Sequence, residues 1–289
     1  MIRLFFAFVF LGAATPAAAQ LNFNPAERLD EIERRTGGRL GLALIDAERG
    51  QVMVHRADER FAMCSTFKLP LAAMVLSRGP SQRTPLPIRR QDLLSHSPWS
   101  QQVVARRAEG RVGLAAQAIV EHSDNAAANV LLRQVGGPAG FTSWLRSIGD
   151  RATRLDRYEL QLNENVRGDP RDTTTPAAFS HTAGRIVYGN ILQPALRDQV
   201  RRWTIASRTG LRRIRAGLPA GWQAGDKTGT CGTAWNDTAW FESSAGRRYV
   251  LAVFLDRPTI PAAEAEAAIA DVARLAVTVA TNLERPPAR

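Results

Sequence analysis

The 289-residue sequence has neither a G-x-x-x-x-G-K-[ST] phosphate loop nor a G-x-G-x-x-G dinucleotide fingerprint, which sets aside the common nucleotide-dependent chemistries. Its four histidines are dispersed and never take the His-Glu-x-x-His spacing of a zinc hydrolase. No internal repeat is present, so solenoids and propellers are excluded. Lysine and arginine exceed the acids by 11, yet the arginines fall singly or in short pairs, without a basic block or interleaved aromatics. That scatter describes a solvated basic surface, and no nucleic-acid partner is expected. Metal and organic cofactors are likewise not expected.

With 45% hydrophobic and 22% charged residues, the chain has the apolar content of a globular protein with one large core or two lobes. Its first residues read as an export signal: Arg3, an apolar run from Leu4 to Ala13, then Ala17-Ala18-Ala19 before Gln20. Residues 1–19 are therefore expected to be removed, lowering the formal charge from +11 to +10 with the loss of Arg3. The run is too short to span a bilayer, and no cysteine stands at the cleavage point to carry a lipid. A periplasmic or secreted protein without a permanent membrane anchor is expected.

Two apolar segments, Leu40 to Asp46 and Gln51 to His55, flank a turn at Arg49-Gly50 and read as a hairpin. A second hairpin is expected from Thr238–Phe241 and Arg248–Leu255, followed by an Ala-rich helix from Ala262 to Leu283. Between them lie helical segments at Leu69–Leu76, Leu114–Glu121, Ala126–Gln134, Phe141–Ile148 and Pro176–Tyr188. The fold class is thus α+β: an α/β sandwich lobe with an antiparallel sheet (20–60 and 204–289), and an all-helical lobe (61–203) inserted into it. A cleft between lobes is a usual place for a site.

Three short motifs sit at boundaries of these elements. Ser65-Thr66-Phe67-Lys68 opens an apolar helix, which puts an amine one turn from a hydroxyl; alone, the motif is weak and reads as a serine N-cap followed by a surface lysine. Pro70 is compatible with that helix only in its first turn. Ser123-Asp124-Asn125 lies between two helices and reads alone as a capping turn. Lys227-Thr228-Gly229-Thr230 enters a strand and reads alone as a charged edge residue and a bend; functionally, Gly229 would let a substrate approach the backbone.

Together and in this order, the three motifs resemble the signature of class A serine β-lactamases and penicillin-binding proteins. The likeness runs through nearly the whole chain after residue 19, including Asn129, Asp169–Pro176 and Arg213–Pro219. Arg154 to Asn163 resembles the class A omega loop, here 154–172, with Arg157 and Asp172 matching the pair that closes it. That loop separates a β-lactamase from a penicillin-binding peptidase, which lacks the deacylating carboxylate. Leu160 departs from the proline that usually follows the glutamate across a cis peptide bond.

The resemblance implies hydrolysis of penicillin-, cephalosporin- and possibly carbapenem-type β-lactams through a Ser65 acyl-enzyme, by a monomer. Lys68, or Glu159 through a water, takes the serine proton, and Ser123 assisted by Lys227 protonates the leaving nitrogen. Thr228, Thr230 and Arg213 hold the substrate carboxylate, Asn125 the acylamide carbonyl, and Glu159 with Asn163 the hydrolytic water. His96 matches a pocket-rim position often aromatic; Trp222 and Trp240 read as core. Cys64 and Cys231 abut the first and third motifs, so if both motifs line one cleft the thiols pair, as in the carbapenem-hydrolysing branch. A peptidase that acylates without turnover, and a non-enzymatic basic binding protein, are the alternatives.

Overall fold

A computed structural model describes residues 24–284. The expected signal segment lies outside the described residues.

The chain begins with α1 (Pro25–Thr36), capped by the Asn24 side chain on Ala26 N and stopped at Gly37 in the left-handed region. The first hairpin follows as β1 (Arg39–Asp46) and β2 (Gly50–His55), then the short β3 (Phe61–Ala62). The helical part contains α2 (Lys68–Arg78), α3 (Pro98–Ala105), α4 (Val112–Glu121), α5 (Asn125–Gln134) and α6 (Gly137–Ser147). After the omega loop come β4 (Thr173–Thr174), α7 (Pro176–Val187) and α8 (Pro194–Ile205). The chain closes with β5 (Gln223–Cys231), β6 (Ala234–Glu242), β7 (Arg248–Asp256) and α9 (Ala262–Glu284).

Five strands form one antiparallel sheet in the order β2-β1-β7-β6-β5, so both ends of the chain build it, as the two hairpins imply. Alternation along β7 assigns its faces. Val250, Ala252 and Phe254 join the core shared with α2, α4, α5 and α7, whereas Tyr249, Leu251, Val253 and Leu255 join the core under α1 and α9. A strand buried on both sides needs a continuous apolar run, and Tyr249–Leu255 is one. Among the described residues no helix is long and apolar enough to cross a membrane.

Each expected helix and hairpin is present, with ends shifted by a few residues. Pro70 falls in the first turn of α2, where its missing N–H has no helical acceptor to lose. Trp240 is buried and Trp222 packs against the second core, stacked near Phe241 and Tyr249. Helices α1, α3 and α8 were not read from the sequence. Proline opens each of them, and charged or polar residues blur their apolar stripes.

Candidate active site

The first motif forms a 3-10 turn, Cys64–Phe67, that runs into α2. Ser65 is half-buried at its start, and Lys68, one turn on, is fully buried beneath it. Lys68 Nζ donates to Ser65 Oγ (2.9 Å), to the Ser123 carbonyl (2.9 Å) and to Asn125 Oδ1 (2.5 Å). It also stands 2.9 Å from Glu159 Oε1, both side chains being sealed from solvent. Burial pushes the Lys68 amine below its ordinary range, opposed by the Glu159 charge. An amine so biased can receive a proton from the neighbouring hydroxyl.

Ser123 and Asn125 are placed by the junction of α4 and α5. Asp124 caps α5 on Ala127 N (2.9 Å) while holding Ser100 Oγ (2.7 Å) and the Trp99 N–H (2.9 Å), which fixes the turn from both sides. Ser123 takes φ 57 and Cys64 φ 48, left-handed values that non-glycine residues adopt mainly where surrounding contacts over-determine the backbone. Ser123 Oγ lies between two lysines, 3.4 Å from Lys68 Nζ and 3.1 Å from Lys227 Nζ. Asn125 spends its oxygen on Lys68 and its Nδ2 on the Ser95 carbonyl (2.9 Å). His96 flanks it, its carbonyl accepting from Asn125 N and its ring joined to the His122 carbonyl.

Lys227 is fully buried on β5, donating to Ser123 Oγ and to the Thr228 carbonyl (2.8 Å). Burial and the nearby Lys68 charge push its amine down to about 7, against the pull of Asp226 and Asp237. Thr228 Oγ1 donates to Thr209 Oγ1 (2.7 Å), and Thr230 Oγ1 accepts from Arg213 Nη2 (2.7 Å). Arg213 is aimed by the Asn236 carbonyl (2.8 Å) and by Glu266 on α9 (3.2 Å). Gly229 does permit a close approach, but of the protein to itself: a Cβ there would collide with the Met63 carbonyl and crowd Thr66. The edge strand is thereby pressed against the turn that carries Ser65.

Glu159 is held from three directions. Asn129 brackets its backbone, accepting from Glu159 N (2.9 Å) and donating to its carbonyl (2.8 Å), and Asn163 Nδ2 donates to Oε2 (2.6 Å). The Glu159–Leu160 peptide is cis, without proline. Asp172 closes the loop, taking Arg157 Nε (2.5 Å) and the N–H groups of Asp156 (2.7 Å) and Arg157 (3.0 Å). The structure therefore brings the site residues expected from the sequence together around Ser65, Ser123 and β5.

Sequence reasoning missed Glu266, Thr209 and Asn236, which position the others. Glutamate, threonine and asparagine outside a motif carry no local signal.

Cys64 and Cys231 form a disulfide, buried with Ala62 and Ala234, that ties the turn carrying Ser65 to the end of β5. Its ends are 167 residues apart, and for a loop of that length chain entropy gives about 5 kcal/mol, an upper value because unfolded chains keep residual structure. Cys64→Ser and Cys231→Ser are each expected to lower the melting temperature by many degrees in calorimetry. Melting equal to the parent would show that the crosslink adds nothing.

A serine, a buried lysine and a glutamate in contact, faced by a second serine and lysine, on this sheet and helix scaffold, define a serine hydrolase acting on cyclic amides. The sequence profile of the Beta-lactamase enzyme family matches residues 24–280, and the chain belongs to that family as a class A member. It is 43% identical over 273 residues to beta-lactamase L2 of Stenotrophomonas maltophilia, covering 91% of this chain and 88% of the relative. To the carbapenem-hydrolyzing beta-lactamase KPC of Klebsiella oxytoca it is 42% identical over 259 residues, 87% of each. Among solved structures, an ancestral class A beta-lactamase superposes with TM-score 0.85 at 44% identity, covering 88% of this chain and 99% of that one. A beta-lactamase from Xanthomonas campestris gives 0.85 at 42% identity, with 89% and 97% covered. The chain is a β-lactam-hydrolysing resistance enzyme.

Proposed function

We propose that Ser65 is the nucleophile and that Lys68 takes its proton. The supporting observation is Lys68 Nζ at 2.9 Å from both Ser65 Oγ and Glu159 Oε1. As Oγ bonds to the lactam carbonyl, backbone N–H groups of Ser65 and Thr230 receive the oxyanion. The C–N bond then breaks, and the Ser123 hydroxyl, next to the Lys227 ammonium, protonates the departing nitrogen. Thr228, Thr230 and Arg213 hold the substrate carboxylate, and Asn125 the acylamide. In deacylation Glu159, with Asn163, takes a proton from water as it attacks the ester, and the alcohol of Ser65 is restored.

The substrates proposed are penicillins, cephalosporins and carbapenems. The carbapenem part is supported by the Cys64–Cys231 disulfide and the likeness to the carbapenem-hydrolyzing relative. The enzyme acts as an exported monomer on small molecules, supported by the signal-like segment 1–19 and by a disulfide suited to an oxidising compartment. Purified enzyme is expected to turn over nitrocefin and imipenem steadily. A burst of one equivalent with nitrocefin and no further turnover would identify a peptidase; a stable imipenem adduct with nitrocefin turnover intact would remove only the carbapenem part.

A further inference from the structure

Behind the substrate-facing side of β5 lies a second set of ionisable groups that the mechanism does not use. Asp226 precedes Lys227 on β5, Asp237 stands opposite Thr228 on β6, and the antiparallel register puts both carboxyls on one face of the sheet. Both are buried, at 1% and 0% exposure. The segment 207–217 covers them. Ile214 N donates to Asp237 Oδ2 (3.1 Å), and Arg215 Nε stands 2.5 Å from Asp226 Oδ1 without an aligned hydrogen bond. Arg215 gives its terminal N–H groups to the carbonyls of Ser207 (2.5 Å) and Ile205 (3.1 Å). Both oxygens of Asp226 and Oδ1 of Asp237 accept no hydrogen bond among the described residues.

Two carboxyls sealed from water on one face of the sheet, with the Arg215 guanidinium paired to Asp226 but not to Asp237, cannot both hold a full charge at ordinary cost. A proton shared between them relieves both deficits, leaving a single negative charge. Arg215 pairs directly with Asp226, and the charges of Arg213 and, across the strand, of Lys227 also act on the pair. Lys227 in turn feels Lys68 and Arg213 as like charges, with Asp226 and Asp237, on the far face of the strand, as the opposing ones.

We propose that Asp226 and Asp237, as a buried pair carrying one shared proton, are positioning residues that keep Lys227 cationic beside Ser123. Burial raises both carboxyls, Asp226 to about 6, with Asp237 pushed further up by its neighbour's charge. The pair acts through the strand, and touches no reacting atom. It rests on the reading of Lys227 as the cation that assists Ser123.

The signature is non-additivity. If one proton is shared, Asp226→Asn or Asp237→Asn alone removes that proton with one carboxyl and leaves the same single negative charge. Each is expected to keep the alkaline limb of kcat/KM for benzylpenicillin within about 0.3 pH unit of the parent. The double variant removes the charge and should bring the limb down by about one unit or more, a roughly tenfold loss above the new midpoint. Single variants that each move the limb as far as the double would overturn the proposal, because both carboxyls would then be ionised. A uniform loss at all pH values, with no limb shift in any variant, would reduce the pair to a structural role. The parent protein gives an independent reading: infrared difference spectra at neutral pH should show a protonated buried carboxyl, and no such band would also overturn it. Mass-spectrometric acylation of the parent by penicillin, recorded alongside, reports separately on the proposed mechanism.

Discussion

Glu159→Ala is expected to capture the enzyme as a penicilloyl adduct on Ser65, with turnover down by about 10²–10⁴. Acylation keeps its proton acceptor, because Lys68 Nζ is 2.9 Å from Ser65 Oγ and is also oriented by Asn125 and the Ser123 carbonyl. Deacylation does not. Asn163 loses the carboxylate it donates to, and the attacking water loses its base. Lys68 also loses its buried partner charge, and desolvation, opposed then only by the more distant Asp124, favours the neutral amine. Its readiness to accept the serine proton is therefore preserved. Intact-protein mass spectrometry should show one substrate mass persisting for minutes. Rapid turnover without an adduct would move the deacylating base elsewhere.

Ser65→Ala should have the larger effect, a fall in hydrolysis of at least about 10⁴, with no adduct of any kind. Lys68, Glu159, Ser123 and Lys227 stay in place, because their mutual contacts do not pass through Ser65 Oγ. Substrate binding should consequently survive, measurable by calorimetry with an intact penicillin. Residual hydrolysis near the parent rate would mean that another residue carries the acyl group.

The sequence revealed the architecture where local pattern decides it. Tyr249–Leu255 and Leu40–Asp46 are strands by composition, and Ala262–Leu283 is a helix by period. The proposed catalytic side chains were legible because Ser65, Ser123 and Lys227 each belong to a motif at an element boundary. What was not legible depends on distant partners. Arg213 is aimed by Glu266, 53 residues away, and the carbonyl bracket around Glu159 comes from Asn129 on α5. Asp226 falls outside the motifs read from the sequence, and it is buried because the segment 207–217 folds over it, a tertiary fact with no local trace.

The pairing of β1 with β7 joins Arg39 to Asp256 and Asp46 to Tyr249, across more than two hundred residues of chain. Such pairing cannot begin until almost all of the polypeptide has left the ribosome, so the order of synthesis and the order of assembly are decoupled. Until then the first hairpin presents Leu40, Leu42 and Leu44 and an unpaired edge to whatever is nearby. Premature termination before residue 249 would leave that apolar hairpin uncovered, a fragment prone to aggregate rather than a smaller enzyme.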